Sequence, residues 1–483
     1  PPTRVRLAVR PAHVAVAILF AGALWIAATP INDIDSYWHV QIGREILQRH
    51  TLDGLGQQWL GVGAPPWRTS QWLSEVGMYL AVDRFGWLAL PVLRLLTACA
   101  LFAVYTVTLV RRRQPVASFV VLLLVVIGIE TLLQDRPATV SLVFVALLGA
   151  ACERLWATGR RPSLVVVAVA TLVWAQLHGL WVLAPPAFLL VALGGLMDRR
   201  HAPAGQIRGA LLCAAASMVG TLNPQGLVSF LLPIRFKDSA GLRINEWVPT
   251  QFTMALTISW GLLLCLVVLA WARSPRRVPA TELLWFICWS AFGMMALRNV
   301  GPAMLLTAPV ALRALEAGLG PRLDRHLTPA SSRETRVLAV LVAVLVVLGA
   351  AGTVGTLARI DPLHNSPALA IARRLAATDR TLRVWNAYNT SGPLIAFGGA
   401  AQGHLKLVVD GRSDLWGSTY IGRTVDAQSL AKGWRQTFEG FRPDVVVLGS
   451  DTPLALYLHA SENWRVALTD GEYELLVPPG RTL

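Results

Sequence analysis

Apolar runs of spanning length recur along most of this chain, separated by short polar loops. A helix that crosses a hydrocarbon layer needs about 20 mostly apolar residues, and on that measure the pattern predicts about eleven spans. They fall near 13–29, 86–110, 115–133, 138–156, 163–178, 180–197, 208–223, 252–272, 279–297, 300–316 and 336–357. The first has the position of a secretory signal, but its apolar run is long and no small-residue cleavage site follows. It is read as a retained anchor.

Two regions depart from this pattern. The loop over 30–85 is long and holds amphipathic stretches. From Asp35 to Arg49, Tyr37, Ile42, Ile46 and Leu47 recur at near-helical spacing with Arg44, Glu45 and Gln48 between them. That spacing predicts an amphipathic helix able to lie in the interfacial plane. Gln71 to Leu80 predicts a second. Trp38, Trp59, Trp67, Trp72 and Trp87 cluster in the same region. Tryptophan favours the headgroup level, so they are read first as anchors and second as stacking platforms for sugars. From about Asp361 onward, short apolar runs alternate with turn signals. Strands are expected at 382–385, 405–409, 444–449, 464–468 and 473–477, with a helix near 453–460. The expected architecture is an α-helical polytopic membrane region over 1–358 and a small α/β domain over 359–483.

Composition agrees. Of 483 residues 54% are hydrophobic and 15% charged, and mean hydropathy is +0.52, which excludes a soluble domain with a single anchor. The net charge of +15 comes from arginine clusters between spans rather than from one patch, so no nucleic-acid partner is expected. Arg111–Arg113, Arg160–Arg161, Arg199–Arg200, Arg273/Arg276/Arg277 and the Arg322–Arg336 stretch all fall on one side if the N-terminus is cytoplasmic. The positive-inside rule then places the C-terminal domain outside. All five cysteines lie in apolar segments, so no disulfide framework or CxxC metal pattern is present.

The opposite face collects the unusual residues: loop 30–85, Gln134–Pro137, His178-Gly179, Asn223–Thr250 and Arg298-Asn299. Ionisable groups near a bilayer are costly and point to function. Asp33 and Asp35 open the first loop, and Asp is also a common helix cap. Two residues apart, they share one face of an extended segment but diverge in a helix. One carboxylate can take a proton from an acceptor hydroxyl; Asp35 is preferred, with Asp33 next. Arginine suits a departing phosphate through its planar fork, which singles out Arg136 and Arg298, with Arg68 and Arg243 in longer loops. His178 can donate to a phosphate or sugar hydroxyl, or simply pack beside Gly179. Asp135 can orient Arg136 or hold a metal. Asp35 and His39 are spaced i,i+4, and an oxygen-rich set with Asp135 would suit Mg²⁺ or Mn²⁺ rather than zinc.

Several motifs together resemble the GT-C superfamily of integral-membrane glycosyltransferases, and more closely a bacterial multi-span group related to it. They are Asp33-Ile34-Asp35-Ser36-Tyr37-Trp38-His39 with Gly43-Arg44, Gln71-Trp72-Leu73-Ser74-Glu75, His178-Gly179, Asn223-Pro224-Gln225-Gly226, Glu246-Trp247-Val248-Pro249, Arg298-Asn299, and Val409-Asp410-Gly411-Arg412-Ser413-Asp414-Leu415-Trp416-Gly417. The resemblance implies a first-loop Asp as base, carried to Asp35 or Asp33, and a polyprenyl-phosphate sugar as donor. Asp135, His39, Glu75, Glu246, Trp247, Asp410, Arg412 and Asp414 are then expected to orient the reactants or bind the acceptor, a cell-envelope glycan, lipid or protein. The expected setting is the bacterial plasma membrane, with the bilayer as partner. The second reading is a transporter or flippase of a lipid-linked sugar, for which Arg94 and Glu130, within or near spans, speak. Transporters more often carry ionisable residues at mid-depth and internal repeats. A third reading is a non-catalytic envelope assembly factor.

Overall fold

The computed structural model describes residues 11–65, 67–110, 115–231, 245–318 and 331–481. Each apolar run carries a helix: α1 (Pro11–Ala27), α4 (Ala89–Val110), α5 (Pro115–Ile129), α6 (Pro137–Thr158), α7 (Leu164–Leu177), α8 (Ala184–Met197), α9 (Gln206–Ser217), then Ala255–Arg273, Ala280–Met295, Val300–Gly318 and Ser332–Leu357. Among the described residues, five helical stretches are long and apolar enough to cross a membrane: Pro137–Thr158, Gly179–Met197, Ala255–Arg273, Leu297–Gly318 and Arg333–Leu357. The other apolar helices are shorter. Val300–Gly318 is the axis of the bundle, buried along nearly its whole length. Ser332–Leu357 lies outermost and packs mainly on α1.

Between α1 and α4 the first loop forms two helices, α2 (Asp35–Arg49) and α3 (Trp72–Phe85). They lie against each other because α2 presents Gly43 to the α3 backbone, where a Cβ would collide with the Glu75 carbonyl. The helix expected over 35–49 is present, but not as a helix lying free in the interface. Its residues from Ser36 to Val40, and Ile42, Gly43, Glu45 and Ile46, are buried between α3 and the C-terminal region.

The C-terminal region contains a five-stranded sheet in the order β2-β1-β3-β5-β4. The strands are β1 (Leu382–Asn386), β2 (Leu405–Leu407), β3 (Val445–Gly449), β4 (Arg465–Asp470) and β5 (Tyr473–Val477), close to the runs read from the sequence. β2, β1 and β3 run parallel; β5 is antiparallel to β3 and to β4. Val445 to Leu448 are all buried, as a central strand covered on both faces requires.

The core beneath this sheet is shared. Trp38, Ile42, Ile46, Leu55, Trp59, Leu60 and Trp67 of the first loop pack in one cluster with Val384, Trp385, Leu407 and Val446. Leu60 pairs with Leu407 in a parallel bridge, and the Gly61 N–H donates to the Leu407 carbonyl at 2.8 Å. The first loop thus closes the β2 edge of the sheet. This overturns the anchor reading for Trp38, Trp59 and Trp67. All three are buried, and their indole N–H groups go to carboxylates: Trp38 to Asp35 (2.9 Å), Trp59 to Asp410 (2.8 Å) and Trp67 to Asp414 (2.6 Å). A buried N–H needs an acceptor, and a carboxylate supplies a strong one.

Candidate active site

The loops singled out from the sequence meet at one end of the helices. Asp33 stands just before α2 and does two things. Its Oδ1 accepts the Asp35 N–H at 2.8 Å, as a cap would, and its Oδ2 lies 3.2 Å from Arg136 Nε. Arg136 is fixed where α6 begins, since Pro137 occupies the first helical turn and tolerates the missing N–H there. Arg136 Nη2 reaches Glu246 Oε2 at 3.1 Å, and Glu246 Oε1 lies 3.3 Å from Arg298 Nη1. The Arg298 guanidinium in turn sits 4.3 Å above the Trp247 ring, a cation–π arrangement. Asp33, Arg136, Glu246, Arg298 and Trp247 therefore form one continuous chain of alternating charge, drawn from four separate loops. His178 stands within electrostatic range of Arg298, Arg136 and Glu246, and its Nδ1 accepts the Leu180 N–H at 3.2 Å.

Asp35 begins α2 beside this chain. Its Oδ1 takes the Trp38 indole N–H, and among the described residues no donor reaches its Oδ2. Burial pushes its carboxyl up to about 8, with the negative charge of Asp33 adding to the effect. Glu246 is held below its ordinary value: burial alone would raise it, but Arg298 and Arg136 outweigh burial.

The C-terminal unit roofs this corner. A Cβ on Gly411 would collide with Asp35 Oδ1 and with the Trp38 indole, and one on Gly392 would collide with the Ile34 carbonyl. Tyr388 donates its hydroxyl to the Gly411 carbonyl at 2.8 Å.

Other sequence-derived residues lie outside the chain. Asp135 is buried and paired with Arg94 Nη1 at 2.6 Å, and it accepts the Asn32 N–H at 2.9 Å. Arg94 also donates to the Thr29 carbonyl at 2.6 Å, so this arginine clamps the start of the first loop to α4 and α6. Burial pushes Asp135 up to about 6 even so, with Arg94 opposing. Glu130 is exposed just after α5. His39 Nδ1 lies 3.0 Å from Glu75 Oε1, and the Thr69 hydroxyl donates to Glu75 Oε2 at 2.7 Å. Arg68 forks onto Asp53 at 2.5 and 2.6 Å and reaches the Pro224 carbonyl at 3.1 Å, pinning two loops together. Arg243 lies outside the described residues.

Asp410, Arg412 and Asp414 form a separate knot. Arg412 pairs with Asp410 at 2.6 Å with both side chains fully buried, and donates to the Leu55 and Gly56 carbonyls at 2.6 and 3.1 Å. Trp59 and Trp416 both donate to Asp410 at 2.8 Å. Asp410 and Arg412 are turned inward and join the first loop to the C-terminal unit, while Asp414, exposed, is held through Trp67.

As for a divalent cation, Asp35, His39 and Asp135 do not form a three-ligand group, and no other such group occurs among the described residues. Asp135 is paired with Arg94, and His39 lies beside Glu75.

Sequence reading missed the partner of Asp135. An arginine inside an apolar run signals a buried ion pair, but nothing local to Arg94 names Asp135. It gave no role to Tyr388 and read Trp59 and Trp67 as anchors, because their contacts arise only once distant segments meet.

The fold is thus a bundle of apolar helices closed at one end by two first-loop helices and a small mixed sheet. The fold of this chain is similar to those of solved integral-membrane glycosyltransferases. It aligns with an Archaeoglobus fulgidus oligosaccharyltransferase tethered to an acceptor peptide at TM-score 0.53 and 12% identity, over 90% of this chain and 69% of that one. It aligns with the mycobacterial arabinofuranosyltransferase AftD at TM-score 0.50 and 12% identity, over 98% of this chain and 40% of that one. ArnT from Cupriavidus metallidurans, bound to undecaprenyl phosphate, aligns at TM-score 0.49 and 15% identity, over 96% and 97% of the two chains. No protein-family model and no curated protein matches the sequence.

Proposed function

We propose that this protein is a membrane glycosyltransferase of the bacterial plasma membrane. It moves a sugar from a polyprenyl-phosphate donor to an envelope acceptor at the extracytoplasmic face. Asp35 is the general base. Its Oδ2 takes the proton of the acceptor hydroxyl, the acceptor oxygen bonds to the sugar C1 with inversion, and the bond from C1 to the phosphate oxygen breaks with its electrons on the phosphate. Arg298 and Arg136 receive that charge, exchanging their hold on Glu246 for the stronger fork onto phosphate oxygens. His178 and Trp247 complete the wall around the leaving group. Two of the fold neighbours are themselves named as transferring sugars, the oligosaccharyltransferase to a peptide and AftD as an arabinofuranosyltransferase.

The observation that carries this reading is the pairing of a donor-free Asp35 Oδ2 with the Asp33–Arg136–Glu246–Arg298 chain beside it. The test is transfer of labelled sugar from a panel of polyprenyl-phosphate donors to envelope extract by protein in proteoliposomes. Asp35→Asn should lower transfer by about 10² to 10⁴ while eluting as a folded species. Wild-type rates in that variant would remove Asp35 from the role. Lipid-sugar movement across the bilayer without any transfer would favour the flippase.

A further inference from the structure

A cleft of about 220 Å³ opens beside the site, between α3, α4, the start of α6 and the end of α7. Leu73, Leu93, Val140 and Leu177 make its walls apolar, and Asp135 and Arg136 line its polar end. Gly77 lines it from the middle of α3, and a Cβ there would meet nothing within 4 Å, so the space beside this helix is open. On α4, Leu93 is 38% exposed and Leu96 61% exposed, which leaves the cleft flanked by side chains suited to acyl chains.

Its polar end leads to the acidic motif. Arg136 is the residue that holds Asp33, and Asp135 accepts the Asn32 N–H next to it. Other sides of Asp35 are lined by protein. Gly411, Tyr388 and Gly392 cover it from the C-terminal unit, while Arg298, Trp247 and Glu246 take the far side of Arg136, where the donor phosphate is placed above. A soluble glycan or peptide entering through the cleft would strip water from its hydroxyls and amides against walls that offer few hydrogen bonds, which is unfavourable. An apolar chain meets no such cost, and its polar head would come to rest among Asp135, Arg136 and the Asp33–Asp35 motif.

We infer that the acceptor is itself a membrane amphiphile. Its apolar chain lies in the α3–α4–α6–α7 cleft, and its head carries the hydroxyl to Asp35. This inference rests on the transferase reading and narrows it, since a lipid acceptor enters sideways from the bilayer while the roof stays in place.

The experiment uses the full chain in proteoliposomes of bacterial lipid extract, with radiolabelled polyprenyl-phosphate sugars. Products are divided into organic-soluble lipid other than donor, aqueous glycan and precipitable protein. Gly77→Trp and Thr97→Trp fill the cleft from two different helices, and undecaprenyl phosphate binding is measured in parallel as the donor-side probe. Label should enter a new lipid, and each variant that elutes folded should lose at least about tenfold of that transfer, with undecaprenyl phosphate binding retained. Label confined to protein or aqueous glycan overturns the lipid acceptor and leaves the transferase standing. Wild-type transfer in both filled variants overturns the cleft. Loss of undecaprenyl phosphate binding in them assigns the cleft to the donor and overturns the inference. Absence of label in every fraction from every donor removes the transferase reading itself, and the acceptor with it.

Discussion

Asp35 is a carboxyl that burial and a like charge hold close to neutrality, with its ordinary range displaced up to about 8. A general base acts in its ionised form, so the active fraction grows as pH rises through that value. The rate of transfer should therefore climb towards a plateau above about pH 8. Asp33→Asn removes the like charge and frees Arg136, and both changes favour ionised Asp35. The rising limb should move to lower pH in that variant, whatever happens to the plateau. A limb that stays in place, or moves up, would show that Asp35 does not set it. The same residue scale explains why Asp33 is more than a cap: one oxygen holds the helix start and the other holds Arg136.

Between elements, α2 and α3 are locked by a titratable pair. Burial pushes Glu75 up to about 8 and His39 down to about 3, so between these values the folded state holds one proton on the two residues. In the unfolded chain their ordinary values are 4.5 and 6.5. Between those two pH values the unfolded chain also carries one proton on the pair, so stability has no slope from them. Above 6.5 the unfolded pair loses its proton while the folded pair keeps it until about 8, and stability falls with rising pH. Below 4.5 the unfolded pair binds two protons and stability falls as pH falls. Glu75→Gln cannot ionise, so the fall in Tm from pH 6.5 to 8 should become shallower than in wild type, by up to about 1.4 kcal/mol per pH unit at the limit of one proton. An unchanged slope in thermal melts across that window would contradict the assignment. The elements themselves were readable because their signals are periodic and local: Tyr37, Ile42 and Ile46 mark α2, and Val445 to Leu448 mark a buried strand. Where α2 would lie was not readable. The same amphipathic spacing suits a helix on a lipid surface or one buried under a sheet, and only the contacts with Leu55, Trp59 and the β2 edge decide between them.

At the scale of the whole molecule, the Asp410–Arg412 pair joins parts of the chain more than 350 residues apart in sequence. Such a pairing has no local signature, which is why Asp410, Arg412 and Asp414 read from the sequence as groups that orient the reactants or bind the acceptor. Removing one partner leaves a buried charge, at a cost of about 3–5 kcal/mol. Arg412→Met should lower the melting temperature sharply and speed proteolysis between the last membrane helix and β1. Asp410→Asn together with Arg412→Met should recover part of the loss, because no unpaired charge then remains. A single variant as stable as wild type would mean that the knot contributes little to docking. The charged loops converge for a related reason. Asp33, Arg136, Glu246 and Arg298 each lie at or near the end of an element, and chain order alone does not say which ends meet.

Because Leu60 and Gly61 extend the sheet at Leu407, the floor that carries Asp35 and the roof that covers it are built on one continuous backbone framework. They cannot part like a jaw. Lifting the sheet off α2 would break that bridge together with the bonds from Trp59 to Asp410 and from Arg412 to Leu55. In mechanical terms Asp35 is braced from both sides, by the sheet above it and, through Asp33, by Arg136 on the bundle.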